Sequence, residues 1–183
     1  MVGLKNSGKT TVAEALISGL AARGLRVAAI KTSHVARLDL EGRDSRRLYD
    51  AGAHCVVAQG RGETLVVRRH AQPPPFPALL RLLPEDTEVV IAESGTTAGA
   101  DLVLVCLVSP EQLEETLEVR GVSLDRVRAL SGLAAAGLGG SDHPAARLPF
   151  LDAATPEGRE ALTALVLEAA GGPAAPTSDP RTS

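Results

Sequence analysis

Apolar positions follow helical and then extended spacing over the first thirty residues of the chain. Residues 10–23 carry apolar side chains three and four positions apart, and Gly24 ends the run, which predicts a helix. Residues 26–31 form a short apolar run that ends in Lys31, which predicts a strand. A helix that leads directly into a strand indicates an α/β fold.

The middle of the chain has the pattern of an antiparallel hairpin. Residues 54–59 and 63–69 are two runs of β type on either side of Gly60-Arg61-Gly62. We expect this hairpin to extend the edge of the sheet, where an exposed edge is also a candidate seam for a homodimer. Three prolines at 73–75 require an extended linker, and residues 76–83 predict a short buried helix.

The second half of the chain continues the alternation of strands and helices. Residues 101–109 are almost continuously hydrophobic, as in a strand of a parallel sheet that is covered on both faces. Thr155-Pro156 has the N-cap and the first-turn proline of a last helix, which should reach residue 170. The other predicted elements are strands at 88–93, 127–130 and 148–151 and a helix at 111–119.

A complete phosphate-binding motif lies at the start of the first predicted helix. Residues 3–10 read Gly3-Leu4-Lys5-Asn6-Ser7-Gly8-Lys9-Thr10, which fits G-x-x-x-x-G-K-[ST]. We expect the backbone N–H groups of this loop and of Thr11 to bind phosphates at the positive end of the helix. Lys9 is expected to contact the β- and γ-phosphates, and Thr10 to bind Mg²⁺. The predicted fold is a P-loop NTPase-like three-layer α/β fold, with a mostly parallel sheet and an antiparallel hairpin.

The chain length and the two ends set the predicted domain boundaries. Only Met1 and Val2 precede the motif, whereas a strand of about five residues is expected there. We therefore expect a truncated first strand and a missing N-terminal segment. The 183 residues suffice for one nucleotide-binding domain, residues 1–170, and the Gly-, Pro-, Ser- and Thr-rich residues 171–183 predict a disordered tail.

Charge and hydrophobicity exclude several classes of partner. The chain has 19 basic and 22 acidic residues, a net charge of −3, and only three aromatic residues. A nucleic-acid-binding protein normally needs a basic surplus or an aromatic platform, so we expect no nucleic-acid partner. The longest unbroken apolar run, residues 102–108, is far shorter than a membrane span of about 20 residues. We expect a cytoplasmic protein with no membrane contact.

The distribution of lysine and cysteine adds two interpretations. Only three of the 19 basic residues are lysines, Lys5, Lys9 and Lys31, and all lie in the first 31 positions. Because arginine is used elsewhere, this indicates a site that needs a compact point charge, such as a phosphate cradle. Cys55 and Cys106 lie in apolar runs and are expected to be buried free thiols.

Three further residues are candidates for magnesium binding or for positioning the attacking water. Glu93 ends the strand 88–93, and a carboxylate at the end of a strand can hold Mg²⁺ or orient a nucleophile. His34 and Asp44 follow the strand that ends at Lys31, at the edge of the sheet where ligands bind. Thr10, Asp44 and Glu93 are the expected metal ligands, and Glu93, His34 and Asp44 the catalytic candidates. Asp44 is equally well interpreted as the N-cap of a helix over residues 45–50.

The order of these motifs resembles a known family. Residues 6–11 read Asn-Ser-Gly-Lys-Thr-Thr, and Lys31, His34, Glu41-Gly42-Arg43-Asp44-Ser45 and Ala51-Gly52-Ala53 follow in order. This pattern resembles the molybdopterin-guanine dinucleotide biosynthesis protein B family over residues 1–60. The resemblance implies a dimeric, slowly hydrolysing GTP-binding protein that uses Mg²⁺. It also implies molybdenum cofactor guanylyltransferase and molybdenum insertion enzymes as partners.

Two other functions stay open at this stage. No guanine-reading Asn/Thr-Lys-x-Asp motif is present, so the preference for GTP rests on the resemblance, and Ser131-Gly132-Leu133-Ala134 is the one candidate for base contact. An ATP-dependent small-molecule kinase is the first alternative, with Arg43, Arg46 and Arg47 as candidate lid residues. A non-catalytic adaptor with a vestigial phosphate loop is the second.

Overall fold

The computed structural model describes residues 1–33, 44–133 and 144–171. The chain divides into two compact units, one of residues 1–32 and 83–183 and the other of residues 33–82. His34, Ala134 and the predicted tail beyond residue 171 lie outside the described residues. None of the helices in the described ranges is long and apolar enough to cross a membrane.

The first unit alternates strands and helices. Its strands are β1 (Val2–Gly3), β2 (Val27–Lys31), β5 (Val89–Glu93), β6 (Val103–Leu107) and β7 (Val127–Gly132). Its helices are α1 (Lys9–Ala21), α4 (Leu113–Arg120) and α5 (Pro156–Ala169), with 3₁₀ turns at Pro110–Gln112, Leu124–Arg126 and Pro144–Arg147. The second unit contains α2 (Asp44–Asp50), β3 (Cys55–Gln59), β4 (Thr64–Arg68) and α3 (Phe76–Leu80).

All strand pairs of the first unit are parallel. Strand β6 pairs with β1 on one side and with β7 on the other, and β2 pairs with β5. The Met1 nitrogen donates to Ala92 O at 2.7 Å, and Ser94 N donates to Met1 O at 3.3 Å. These two bonds have the alternating pattern of a parallel ladder, so they connect β1 to β5. Regular pairing gives a three-stranded sheet, β1-β6-β7, and a two-stranded sheet, β2-β5, and the bonds at Met1 join them in the order β2-β5-β1-β6-β7. All these pairings are parallel, which confirms the prediction of a mostly parallel sheet.

Helices cover both faces of this sheet, as the side chains of β6 show: they alternate between two apolar clusters, one on each face. Leu104 and Cys106 pack with residues of α1 and α5, including Leu16 and Leu162. Val103, Val105 and Leu107 pack on the opposite face with Leu113 of α4. Every residue of β6 is buried, as a strand covered on both faces requires. The predicted three-layer arrangement is therefore confirmed.

Local signals at the ends of the later elements agree with the sequence in part. Thr155 caps α5, since its Oγ1 accepts a hydrogen bond from Gly158 N at 3.0 Å, and Pro156 begins the helix as predicted. The predicted strand at 148–151 is reduced to a single parallel bridge between Leu130 and Phe150.

The second unit is built on the predicted hairpin. Strands β3 and β4 are antiparallel and form a two-stranded sheet of their own, and α2 packs beside β3. Three predictions here were wrong. The hairpin was expected to extend the edge of the parallel sheet, but among the described residues its strands pair only with each other. Cys55 is exposed, because it begins β3 on the hairpin face whose side chains point to solvent. Helix α3 has no fully buried residue, and Phe76, Ala78 and Leu79 are half-buried, so the predicted buried helix is a short, partly exposed one.

Candidate functional site

The loop between β1 and α1 is folded tightly against the sheet. A Cβ added at Gly3 would lie 2.4 Å from both Cys106 O and Ser7 Oγ, so only glycine fits there. Asn6 and Gly8 have positive φ angles of 61° and 80°, which turn the chain into the helix. Buried Ser7 donates from Oγ to Leu4 O at 2.9 Å and closes the loop internally.

The N-terminus of α1 is left without a side-chain partner. Its N-cap is Gly8, which offers no capping hydrogen bond, and the first turn contains no acidic residue. The first N–H groups of a helix and its macrodipole favour an anion at this end. Helix α1 therefore presents an uncompensated positive end beside the loop.

Lys9 folds back over the loop. Its Nζ donates to Leu4 O at 2.5 Å and contacts Ser7 Oγ at 3.4 Å. Burial lowers the pKa of the Lys9 ammonium group, while nearby Glu93 acts in the opposite direction. Among the described residues, the hydrogen-bond acceptors of this ammonium group are thus neutral oxygen atoms.

Glu93, Thr10 and Lys31 form a polar cluster at the ends of α1, β2 and β5. Thr10 Oγ1 donates to Glu93 Oε2 at 2.9 Å. Lys31 Nζ lies 3.3 Å from the same Glu93 oxygen and 3.3 Å from Thr10 Oγ1. The Glu93 side chain is 15 % exposed and that of Lys31 61 %, so the carboxylate is sheltered and its cation faces solvent. Parallel pairing of Lys31 with Glu93 in the β2–β5 ladder brings the two together.

The other predicted site residues are distributed over the chain. Lys5 and Thr11 are exposed. Asp44 belongs to the second unit, where it lies in the first turn of α2 and forms an ion pair with Arg47 at 3.3 Å. In the described ranges, no group of three or more His, Cys, Asp or Glu side chains is arranged to hold a metal ion.

One residue far along the chain reaches the loop and was not predicted as a site residue. Arg120 donates from Nε and Nη2 to Gly3 O, at 3.1 and 2.8 Å. No spacing signal in the sequence links this arginine to a loop more than 110 positions earlier. Lys31 was noted for its residue type, and its pairing with Glu93 follows from the parallel register.

The segment after β7 also lies against the loop. Gly132 has a φ of 106°, and a Cβ there would come within 2.3 Å of Ser7 O. Leu133 is 60 % exposed, and its Cγ would lie 3.3 Å from a Cβ added at Gly8. Gly132 and Leu133, which belong to the segment considered for base contact, therefore lie next to the phosphate loop.

Comparisons with known proteins agree with this architecture. A family model described as Molybdopterin guanine dinucleotide synthesis protein B matches residues 1–106. A Molybdopterin-guanine dinucleotide biosynthesis adapter protein from Haemophilus influenzae is 47 % identical over 58 residues, which are 31 % of this chain and 33 % of that protein. The match thus spans only a third of that relative's length.

Two solved structures share the fold. Bacillus subtilis MobB superposes with a TM-score of 0.62 at 23 % identity, covering 92 % of this chain and 94 % of that one. A molybdopterin-guanine biosynthesis protein B gives a TM-score of 0.63 at 24 % identity, covering 93 % and 96 %. At these identities the likeness supports the fold, and it agrees with the predicted P-loop NTPase-like class. Because the family model covers more than half of its length, the chain belongs to the molybdopterin guanine dinucleotide synthesis protein B family.

Proposed function

We propose that this protein binds GTP with Mg²⁺ at the loop of residues 3–10 and hydrolyses it slowly. The observation that carries the proposal is the hydrogen bond of 2.9 Å between Thr10 and Glu93. It joins the hydroxyl that the motif assigns to Mg²⁺ with the carboxylate at the end of β5. This pairing occurs beside an α1 N-terminus that has no side-chain cap.

The donor set at this position fits magnesium. Mg²⁺ prefers oxygen ligands, and it is commonly bound by one or two protein groups together with phosphate oxygens and water. Thr10 Oγ1 and Glu93 Oε2 are such oxygens, and both also contact Lys31 Nζ, a cation that an arriving metal ion would repel. When bound, Mg²⁺ would neutralise charge on the β- and γ-phosphates.

The chain's own groups supply the rest of the phosphate site. The loop N–H groups and the end of α1 offer donors to phosphate oxygens, and Lys9 must exchange Leu4 O for a phosphate oxygen. We assign Glu93 to the metal and to orienting the attacking water. His34 and Asp44 remain candidates for the same tasks, with His34 outside the described residues.

The family supports the physiological role. We infer that nucleotide binding assists a guanylyltransferase that attaches GMP to the molybdenum cofactor, and that molybdenum insertion enzymes are further partners. We place the protein in the cytoplasm as a homodimer. Its hairpin has exposed Val57 and Val66 side by side on one face, which offers an apolar contact surface for the second copy.

The first test is a titration of the purified protein with fluorescent GTP and ATP analogues, with and without Mg²⁺. We expect Mg²⁺-dependent binding that prefers GTP. Lys9→Ala should weaken binding at least tenfold with the fold intact, because an ionic contact with phosphate is lost. Glu93→Gln should raise the Mg²⁺ concentration needed for half-maximal binding and leave Mg²⁺-free binding nearly unchanged. Equal GTP affinity of wild type and Lys9→Ala would contradict the proposal.

A non-catalytic adaptor is the second candidate, because the Haemophilus influenzae relative is named an adapter protein. Under this alternative the loop is not used, and Lys9→Ala would retain full activity in reconstituted cofactor guanylylation. The kinase alternative has less support, because two of its candidate lid arginines form ion pairs within α2. There Arg46 pairs with Asp50 and Arg47 with Asp44.

A further inference from the structure

The guanidinium group of Arg120 lies at the beginning of the phosphate loop. It reaches from the last turn of α4 to the carbonyl oxygen of Gly3, with Nε at 3.1 Å and Nη2 at 2.8 Å. Its third nitrogen, Nη1, lies 3.5 Å from where a Cβ of Gly95 would be. Arg120 is thus held between the loop and the turn that follows Glu93.

The guanidinium group of Arg120 forms no ion pair with a carboxylate of the described residues. The ion pairs formed by described residues do not include it, and both of its hydrogen bonds go to one neutral carbonyl. Most other described arginines with such bonds are exposed, whereas this side chain is partly buried. A half-buried cation with a neutral partner favours an anion nearby, since its field is weakly screened.

Two successive carbonyls of the loop are held by cations. Arg120 binds Gly3 O, and Lys9 binds Leu4 O. A carbonyl oxygen that turned toward a phosphate would repel it and would turn the adjoining N–H group away. Fixing these two oxygens therefore keeps the loop's N–H groups available to the phosphates. Lys9 is needed at the phosphate once nucleotide binds, so Arg120 is the cation that can keep its carbonyl throughout.

We propose that Arg120 is a positioning residue of the phosphate loop, which fixes the Gly3 carbonyl and adds positive charge to the phosphate site without contacting nucleotide. This inference rests on the proposed nucleotide binding. It predicts that Arg120 supports binding of the phosphates and does not contribute to selection of the base.

The test compares Arg120→Met with a matched control, Arg126→Met. Like Arg120, Arg126 donates to backbone carbonyls, but these lie in the connection between β5 and β6: Thr97 O at 3.5 Å and Ala100 O at 3.2 Å. Arg126 has no hydrogen bond to the phosphate loop. Binding of fluorescent GTP with Mg²⁺ is measured directly, and binding of inorganic tripolyphosphate by competition, with Tm recorded for each variant.

We expect Arg120→Met to weaken GTP and tripolyphosphate by the same factor, about tenfold or more, as for the loss of a charged hydrogen bond. Arg120→Lys should weaken both by about threefold, because it keeps the charge and loses the two-donor fork. Arg126→Met should bind both ligands as wild type does, even if its Tm falls. If Arg120→Met does not fold, wild-type affinity in Arg120→Lys would overturn the positioning role.

The outcomes separate this inference from the proposed function. Wild-type tripolyphosphate affinity in folded Arg120→Met, with weak binding in Lys9→Ala, would overturn the role of Arg120 alone. Failure of the wild-type protein to bind either ligand would overturn both. Equal losses in Arg120→Met and Arg126→Met would show a general effect on the fold and also contradict the inference.

Discussion

The ammonium group of Lys9 has surroundings that suit an anionic ligand better than the free protein. Burial lowers the pKa of Lys9 below its usual value of 10.5, and its nearest acceptors are the neutral Leu4 O and Ser7 Oγ. A phosphate beside the ammonium group would favour the charged form and raise the pKa again. Lys9 therefore links nucleotide binding to proton uptake.

We predict that nucleotide affinity falls as the pH rises through the lowered pKa of Lys9 in the free protein. Above that pH the free protein has lost a proton that the complex retains, and Kd rises by at most about tenfold per pH unit for one proton. Well below it, Lys9 is charged in both states and has no effect. Kd for GTP with Mg²⁺ is measured at a series of pH values below 10.5.

Lys9→Arg is the control for this pH series, because arginine stays charged throughout the range. The quantity compared is the slope of log Kd against pH, whatever the absolute affinity of Lys9→Arg. We expect this slope to be flatter for Lys9→Arg than for wild type. Parallel pH profiles of the two proteins would show that Lys9 does not release the proton and would contradict the prediction.

At the scale of the elements, the sequence predicted what depends on local pattern. The loop spacing, the hydrophobic run of β6 and the Thr155-Pro156 helix start are encoded by neighbouring residues, and each was found. The contact of Arg120 with Gly3 depends on how α4 packs against the sheet, which no local spacing reports. Cys55 was misjudged because an apolar run does not reveal which face of a hairpin is covered.

Helix α4 contains a buried hydroxyl whose cost can be measured. Thr116 is 0 % exposed, and its Oγ1 has no hydrogen-bond partner among the described residues. A buried polar group without a partner costs about 1–3 kcal/mol. We predict that Thr116→Val raises the free energy of unfolding by about 1 kcal/mol, which corresponds to about 2–4 °C in Tm for a chain of this size.

The matched control is Thr163→Val in α5. Thr163 is 1 % exposed, and its Oγ1 donates to Arg159 O at 2.8 Å, so valine removes a hydrogen bond that is already made. We expect Thr163→Val to be neutral or destabilising when both variants are compared by urea denaturation. Destabilisation by Thr116→Val of the same size would mean that the Thr116 hydroxyl has a partner.

At the scale of the whole molecule, Cys106 connects the phosphate loop to the apolar core. It is 0 % exposed in β6, it pairs with Gly3 of β1, and its side chain packs among residues of α1 and α5. Burial raises the pKa of its thiol to about 12, so almost no reactive thiolate is present near neutral pH. Labelling of Cys106 therefore requires α1 or α5 to move away from the sheet.

We predict that a thiol reagent modifies Cys106 in the folded Cys55→Ser variant only through such opening, and that GTP with Mg²⁺ slows the reaction. Because α1 and α5 cover this thiol, exposing it displaces the helix whose N-terminus forms part of the phosphate loop, and the open state cannot bind. Ligand at 100 times its Kd then stabilises the closed state by about 2.7 kcal/mol, which slows labelling by about 100-fold. Lys9→Ala in the same background should abolish the protection. A labelling rate that ligand leaves unchanged would mean that Cys106 becomes exposed while the loop stays intact, and the predicted coupling between loop and core would be wrong.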